Sequence, residues 1–553
     1  MNHIKSTCRL TVVLASVAVA LLSAQEAAAC GGFFCQLIPI DQAGEQIIFR
    51  QEGDQVTAVV LIQYEGEAED FSWVVPVPGI PQLSTGSDLL FAPLELATRP
   101  QFVLETTGAA CPQPRNDLDF TGGFGGPSVA PGAEDDGVDI LETLAVGPFD
   151  VQIVSSDDAE ALATWLADNN YDLTDRGREL IEPYVTEGMN FVALKLRQDQ
   201  GVGDIEPLIM HYKSDQPMIP IRLTAVAALP DMGVIVWLLG DARAVPINYL
   251  HVKPNYTRLN WYAGSLSAYT SYQGLITAAM DEAGGKGFAT DYAGRNPDLL
   301  QSLPSVDPLN AELDRLAGLD DANFVAQLAS NFVFPQTKTL EILRRQLPLP
   351  AGNDEFIYQI PELVSDVFTA EQLASARTAI VSELSDGVVA ALEESLAVFD
   401  GNPYLTRLYT TLSAEDMTLD PCFSFNPDLE DQSLERRATL HVACTLTGTK
   451  WTLTLGPGTG RDGVKVIDGT NLPPSFQPPT IEQDAVWRTE TVTTSGPPSV
   501  VTQKQFGVAQ VTGENGGGGA PLCGAGTGLC GTGILGMLGV MMLGLRLMRS
   551  RRS

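Results

Sequence analysis

The sequence predicts an α+β fold: a β-rich mixed N-terminal domain, a helical segment, a small C-terminal antiparallel β-module and a C-terminal transmembrane helix. Three observations carry this reading. Runs of β-branched and aromatic residues, punctuated by turn residues, recur between 46 and 240. Apolar residues from Leu313 to Leu392 mostly fall at helical spacing. Short strand-like runs return beyond Asp420 and give way, after a glycine run, to an apolar stretch ending in arginines. The implied boundaries are a signal peptide at 1–29, the mixed domain at 30–300, the helical segment at 301–415 and the β-module at 416–511. A Gly-rich linker at 512–528, a membrane segment at 529–548 and a basic tail at 549–553 complete the chain.

Each element has a local cause. Lys5 and Arg9, an apolar core from Leu10 to Leu22, and Ala27-Ala28-Ala29 before Cys30 have the order of a secretory signal. Ile47-Ile48-Phe49 and Val56 to Tyr64 read as strands joined at Glu52-Gly53-Asp54. Phe71 to Val77 is extended, and Pro76, Pro78 and Pro81 push it toward a sheet edge. A short helix is expected to begin at Pro93 and stop before Pro100. Residues 108–139 form a Gly/Pro/Asp-rich loop. A strand near Phe149 to Val154 precedes a helix from Asp158 to Asn169, which stacks Leu162, Trp165 and Leu166 behind a Ser156/Asp157 cap. Further strands are expected at 191–196, 208–212, 219–226 and 233–239, helices from Asn310 to about Ser413, and strands at 438–445, 451–455, 464–467, 486–493 and 500–511.

Charge restricts the partners. The chain holds 68 acidic against 33 basic residues, a net charge of −35, and the body from 30 to 545 carries 27 bases against 67 acids. Such a surface repels nucleic acid phosphates and anionic headgroups. The membrane is instead met through the C-terminal segment, whose strictly apolar core, Ile534 to Leu545, falls short of the ~20 residues of a permanent span. Arginines at 546, 549, 551 and 552 set its end in the cytoplasm. The body is thus exported and held with its main part in the periplasm or at the cell surface.

Seven cysteines remain after the signal, at 30, 35, 111, 422, 444, 523 and 530, a sparse set suited to a few staples on a sufficient core. Cys422 and Cys444 are the most natural disulfide pair, lying at neighbouring β-like segments. Ala29 and Cys30 mark the N-terminal processing site, and Cys523 and Cys530 the C-terminal one.

Candidate chemistry is sparse. His211, His251 and His441 stand outside any zinc-binding spacing and read as surface or half-buried strand residues, so no metal is expected. Gly458, Gly460 and Gly463 match a dinucleotide fingerprint, but a strand follows where a helix is required, so the stretch is a hairpin loop. Gly284-Gly285-Lys286 is a helix end with a glycine cap. No cofactor is expected. The acids of the 108–139 loop match no calcium-loop pattern. Cleavage after Ala29 would place a free amine beside the Cys30 thiol, the equipment of an N-terminal nucleophile, although Gly31-Gly32 argues against it.

Several separated motifs carry a resemblance. They are Cys30-Gly-Gly-Phe-Phe-Cys35, Asp70-Phe-Ser-Trp-Val-Val-Pro-Val-Pro78, Ile219-Pro-Ile-Arg-Leu-Thr224, Asp281-Glu-Ala-Gly-Gly285 with Phe288-Ala-Thr290, and Leu405-Thr-Arg-Leu-Tyr-Thr410 with Asp420-Pro421. In this order they resemble the exported bacterial family called domain of unknown function 2330, over residues ~30–425. The tail resembles the cysteine–span–arginine sorting signals of myxobacterial surface proteins, which implies a sorting protease as partner. The expected function is a non-catalytic binding or interaction protein tethered at the envelope. The alternative is an exported hydrolase using Cys30.

The first prediction is the mature N-terminus. Mass spectrometry of the exported protein is expected to find Cys30 as residue one, without lipid; retention of residues 10–22 would overturn export by this signal.

Overall fold

A computed structural model describes residues 41–65, 71–108, 139–171, 174–197, 200, 205–262, 265–295, 297–445, 448–471 and 481–512. The signal segment, Ala29, Cys30, Cys35, the acidic loop with Cys111, and the tail with Cys523 and Cys530 lie outside the described residues. The fold is mixed α+β, as the sequence predicts.

Its centre is a ten-stranded sheet. In spatial order it runs β20 (Ser499–Gln503), β19 (Val486–Thr491), β12 (Leu250–Pro254), β13 (Gly287–Gly294), β14 (Tyr404–Leu412), β10 (Ala228–Gly240), β1 (Asp41–Glu52), β2 (Gln55–Glu65), β9 (Leu208–Lys213) and β4 (Gln82–Thr85). The β1–β2 hairpin turns at Gly53, whose φ of 64° suits a residue without a side chain. Alternation along the central strands feeds two cores. Ile47 and Phe49 of β1, with Val234, Val236 and Leu238 of β10, enter one core. Ile48, with Ile235, Trp237 and Leu239, enters the other. A sheet buried on both faces explains the near-continuous apolar run of β10.

The first core is closed by a four-stranded sheet, β3 (Ser72–Val77), β8 (Asn190–Leu196), β7 (Phe149–Ser155) and β6 (Asp139–Val146). Helix α1 (Phe91–Thr98) lies between β4 and β5 in the chain, and α2 (Ala159–Asp168) and α3 (Asp175–Thr186) lie between β7 and β8. Both α2 and α3 contribute to this core, through Leu162, Trp165, Leu166, Ile181 and Tyr184. The second core packs the sheet against the long helix Ser265–Glu282 and against a five-stranded sheet, β21 (Ala509–Thr512), β18 (Lys465–Thr470), β17 (Gly448–Leu455), β16 (Glu435–Thr445) and β5 (Gln101–Gly108). A two-stranded ribbon, β11 (Arg243–Pro246) with β15 (Phe423–Asn426), completes the strands. Helices between 307 and 397 form a third core around Phe324, Leu328, Ile342, Leu343 and Ile380.

Several expectations are corrected. The α2 cap is Asp158, whose carboxylate accepts from the Glu160 and Ala161 amides, rather than Ser156/Asp157. Residues 219–226 form a helical turn, Ile221–Thr224, instead of a strand. The helices end before β14, which is central in the large sheet. The C-terminal strands are not one antiparallel module: β16 pairs parallel to β5, while β19 pairs with β12. Among the described residues no helix is long and apolar enough to cross a membrane; the apolar tail lies outside them. The glycine readings hold. Gly284 and Gly285, with φ of 77° and 70°, end the long helix, the Gly285 amide donating to Met280 O at 2.9 Å. Residues 456–463 join β17 to β18 as a hairpin.

The expected Cys422–Cys444 disulfide is absent. Cys422 carries a free thiol, whereas Cys444 is disulfide-bonded. The two cysteines stand in different settings: Cys444 lies on β16 between β5 and β17, while Cys422 lies just before β15 at the edge of the two-stranded ribbon. Peptide mapping under denaturing, non-reducing conditions is therefore expected to find Cys444 in a disulfide and Cys422 open to alkylation. A Cys422–Cys444 peptide would overturn the assignment.

Candidate functional site

A bulge in β1 builds the most distinctive site. Its register slips against β2 between Gln42 and Glu45, and against β10 between Gln42 and Gly44. Such slips re-aim the residues that follow. From there Glu45, Ile47 and Phe49 share one face, and with Ala58, Val60, Met210 and Tyr212 they form the floor of a cavity of about 420 Å³. Trp73, Val75 and Val77 of the four-stranded sheet form the opposite wall, and Ser214, Asp215, Gln216, Met218, Pro220 and Cys422 the rim. The volume is that of a small-molecule site.

Glu45 is the exception in this lining. The residue is 7% exposed and its Oε2 has no hydrogen-bond partner. Burial pushes its carboxyl up to about 7, because removal from water penalises the charged form. A buried polar group without a partner is costly, and so it marks a place where a ligand can supply one.

The rim is held by a charged clamp. The Arg222 Nε donates to Asp420 Oδ2 at 2.7 Å and its Nη2 to Glu187 at 2.8 Å. The Arg222 amide and the Tyr184 hydroxyl both donate to Asp420 Oδ1, at 3.0 and 2.8 Å. This clamp turns residues 219–224 into a helical loop and sets Pro220 at the rim. The Cys422 amide donates to Asn248 Oδ1 at 2.8 Å, and Met218 bridges to Cys422. Burial, with Asp420 and Glu187 nearby, raises the Cys422 thiol above its ordinary value; it stays protonated and is a poor nucleophile.

A second polar cluster lies elsewhere on the large sheet. Thr290 Oγ1 is 3.0 Å from His251 Nε2, and His251 Nδ1 is 3.0 Å from Glu490 Oε2. The order hydroxyl, imidazole, carboxylate is that of a nucleophile relay. The adjoining cavity, however, is only about 40 Å³ and is roofed by Val245, Pro246, Leu429 and Pro498. It has room for water and none for a scissile group. The cluster instead ties β12, β13 and β19 together. Burial lowers the His251 pKa, helped by Arg243 and Lys253. Burial opposes ionisation of Glu490, yet the His251 hydrogen bond and the charges of Lys253 and Arg488 prevail and bring it to about 2.

Of the sequence candidates, Cys422 is at the cavity rim and Cys444 is on β16, away from it. Ala29, Cys30, Cys523 and Cys530 lie outside the described residues. His211 bonds Thr57 and His441 bonds Thr107, each across neighbouring strands. Among the described residues no group of His, Cys, Asp or Glu could hold a metal ion. Sequence reasoning missed Glu45. Its signal was its phase, an acid two residues before Ile47 and four before Phe49 on a buried face.

Two of the motifs that carried the resemblance meet at this cavity: Trp73 to Pro78 supplies its wall, and Pro220 with Arg222 its rim and clamp. Residues 24–335 match DUF2330, described as an uncharacterized protein conserved in bacteria. The chain belongs to this family. The DUF2330 match stops short of the 405–410 and 420–421 motifs, so the clamp's Asp420 lies beyond it. No curated protein and no solved structure matches the chain.

The relay predicts acid lability. Glu490 is depressed in the folded state, so its contribution is complete above its ordinary pKa and is lost as pH falls from about 4.5 to about 2. His251, also depressed, favours unfolding as the unfolded imidazole protonates below about 6.5. Urea melts across pH 7 to 2 are expected to lose on the order of 3 kcal/mol on the Glu490 limb, and Glu490→Gln to flatten it. A limb unchanged in that variant would assign the acid lability elsewhere.

Proposed function

We propose that this chain is an exported, membrane-tethered binding protein of the bacterial envelope that holds a small apolar molecule between its two facing sheets. The observation that carries the binding half is the cavity of about 420 Å³, walled by Trp73, Val75, Val77, Ile47 and Phe49 and containing the unpartnered Glu45. Apolar walls with one or two placed polar groups are the usual make-up of a small-molecule site. Export and tethering rest on the N-terminal signal pattern ending at Ala29 and on the apolar, arginine-ended tail after Cys523 and Cys530. A hydrolase built on the described residues has less support, since the Cys422 thiol is held protonated and the Thr290–His251–Glu490 relay is roofed over; the Cys30 of the alternative lies outside those residues.

Binding is tested with a polarity-sensitive dye such as N-phenyl-1-naphthylamine added to the full chain in amphipol. The dye is expected to brighten and shift blue on entering the cavity. Ala58→Phe and Val75→Trp, which fill it from opposite walls, are each expected to reduce that response about tenfold. Overpacking costs about 1–3 kcal/mol, so retained cooperative melting controls for folding. An undiminished response in two folded variants would place the dye elsewhere and remove the reading.

A further inference from the structure

We propose that the ligand of this cavity is an amine carried on an apolar body, with its nitrogen donating to the free oxygen of Glu45 and its apolar part lying between the sheets. The inference rests on the cavity being a binding site and goes on to name the ligand's chemical class.

Three observations point to an amine. The first is the orphan acceptor: Glu45 Oε2 is buried, unpartnered and part of the cavity wall. In its ionised form the carboxylate only accepts hydrogen bonds, so a group that completes it in that form donates. The second is charge. The ionisable lining is acidic, Glu45 inside and Asp215 at the exposed rim, with no lysine, arginine or histidine among the lining residues. An anionic head would enter with nothing to neutralise it, which low-dielectric surroundings penalise heavily. An ammonium meets the opposite situation, a buried carboxylate whose only missing partner is a cationic donor. The third is the field of the whole chain. A net charge of −35 raises the local concentration of cations and lowers that of anions at the mouth.

Size and polarity complete the description. The wall facing Glu45 is apolar, from Trp73, Val75 and Val77 of β3, and so are Ile47, Phe49 and Met210 beside it, so the rest of the ligand is hydrocarbon or aromatic. Tyr212 and Ser214 add hydroxyls toward the rim and no charge. Glu45 stands near neutrality without a ligand because burial disfavours its anion. A bound ammonium restores the anion by supplying both the opposite charge and the hydrogen bond.

The test compares three probes of one chain length, octylamine, octanol and octanoate, as competitors of the dye on the full chain in amphipol. In the wild type octylamine is expected to bind about ten- to a hundredfold more tightly than octanol, the range of a charge-assisted hydrogen bond, with octanoate weakest. In Glu45→Gln the octylamine preference is expected to vanish while octanol affinity is retained. Glu45→Leu is the second variant, with the same loss of preference and a higher melting temperature because a buried, unpartnered acid is removed. Octanol binding equal to octylamine in the wild type would overturn the amine and leave the cavity reading standing. Octanoate binding tightest would overturn it equally. Failure of all three probes to displace the dye would remove the cavity reading and this inference with it.

Discussion

One buried carboxylate organises the middle of this molecule. Asp291, on β13, is fully buried, as are two arginines that reach it from different strands. Arg407 of β14 approaches its Oδ2 at 3.4 Å as an ion pair without a hydrogen bond, and donates to the Tyr269 hydroxyl at 3.0 Å. Arg436 of β16 donates to the Asp291 carbonyl at 2.8 Å and to the Tyr256 hydroxyl at 3.1 Å. The Tyr272 hydroxyl, from the long helix, bonds the same carboxylate. The ten-stranded sheet, the five-stranded sheet and the helix between them therefore meet at one residue, Arg407 and Tyr272 at its carboxylate and Arg436 at its main-chain carbonyl. A buried pair of this kind adds little against an apolar replacement, but removing one partner leaves charges stranded in the core. Its role is to fix which strands sit together.

That constraint explains the arrangement on the other face. With one face of the large sheet committed to the arginine-rich core, the opposite face must be covered by the four-stranded sheet and its helices. The cover is joined to the large sheet's side of the molecule at the Arg222–Asp420–Tyr184 clamp, where Arg222 also stacks over the Tyr184 ring at 4.3 Å. Between the clamp and the β1 bulge the two sheets leave a cavity instead of closing upon each other. An acid facing that space costs stability, and local rules broken in this way tend to coincide with function. Glu45 is such a break. The buried relay at His251 is not, because His251 bonds both Thr290 and Glu490, and the other Glu490 oxygen is ion-paired with Lys253 and Arg488.

Legibility followed the physics of each segment. β1, β2, β7 and β8 could be read because alternation and turn residues act locally. The end of the long helix could be read because two glycines with positive φ leave few alternatives. β14 was hidden within an expected helical stretch, because it buries polar residues on both faces: Arg407 toward the Asp291 core, and Thr406 and Thr410 on the other side. Residues 219–226 carry β-branched side chains, yet Asp420, some two hundred positions away, draws Arg222 into a helical turn. The Cys422–Cys444 expectation failed because sequence proximity says nothing of partners: Cys444 lies on β16 in the five-stranded sheet, and Cys422 stands at the rim of the cavity.

The sequence by itself determined the α+β class, most strands of the first half, the helical character from Asn310 as far as Ala397, the glycine-ended helix and the family. These depend on periodicity, turn chemistry and motifs read within a few residues. Tertiary structure alone decided that the C-terminal strands are divided between two sheets, that Arg407 and Arg436 share Asp291, and that Glu45 faces a cavity. The reason is the same in each case. Pairing and burial are settled by surfaces brought together from distant parts of the chain, and a side chain's chemistry depends on what covers it.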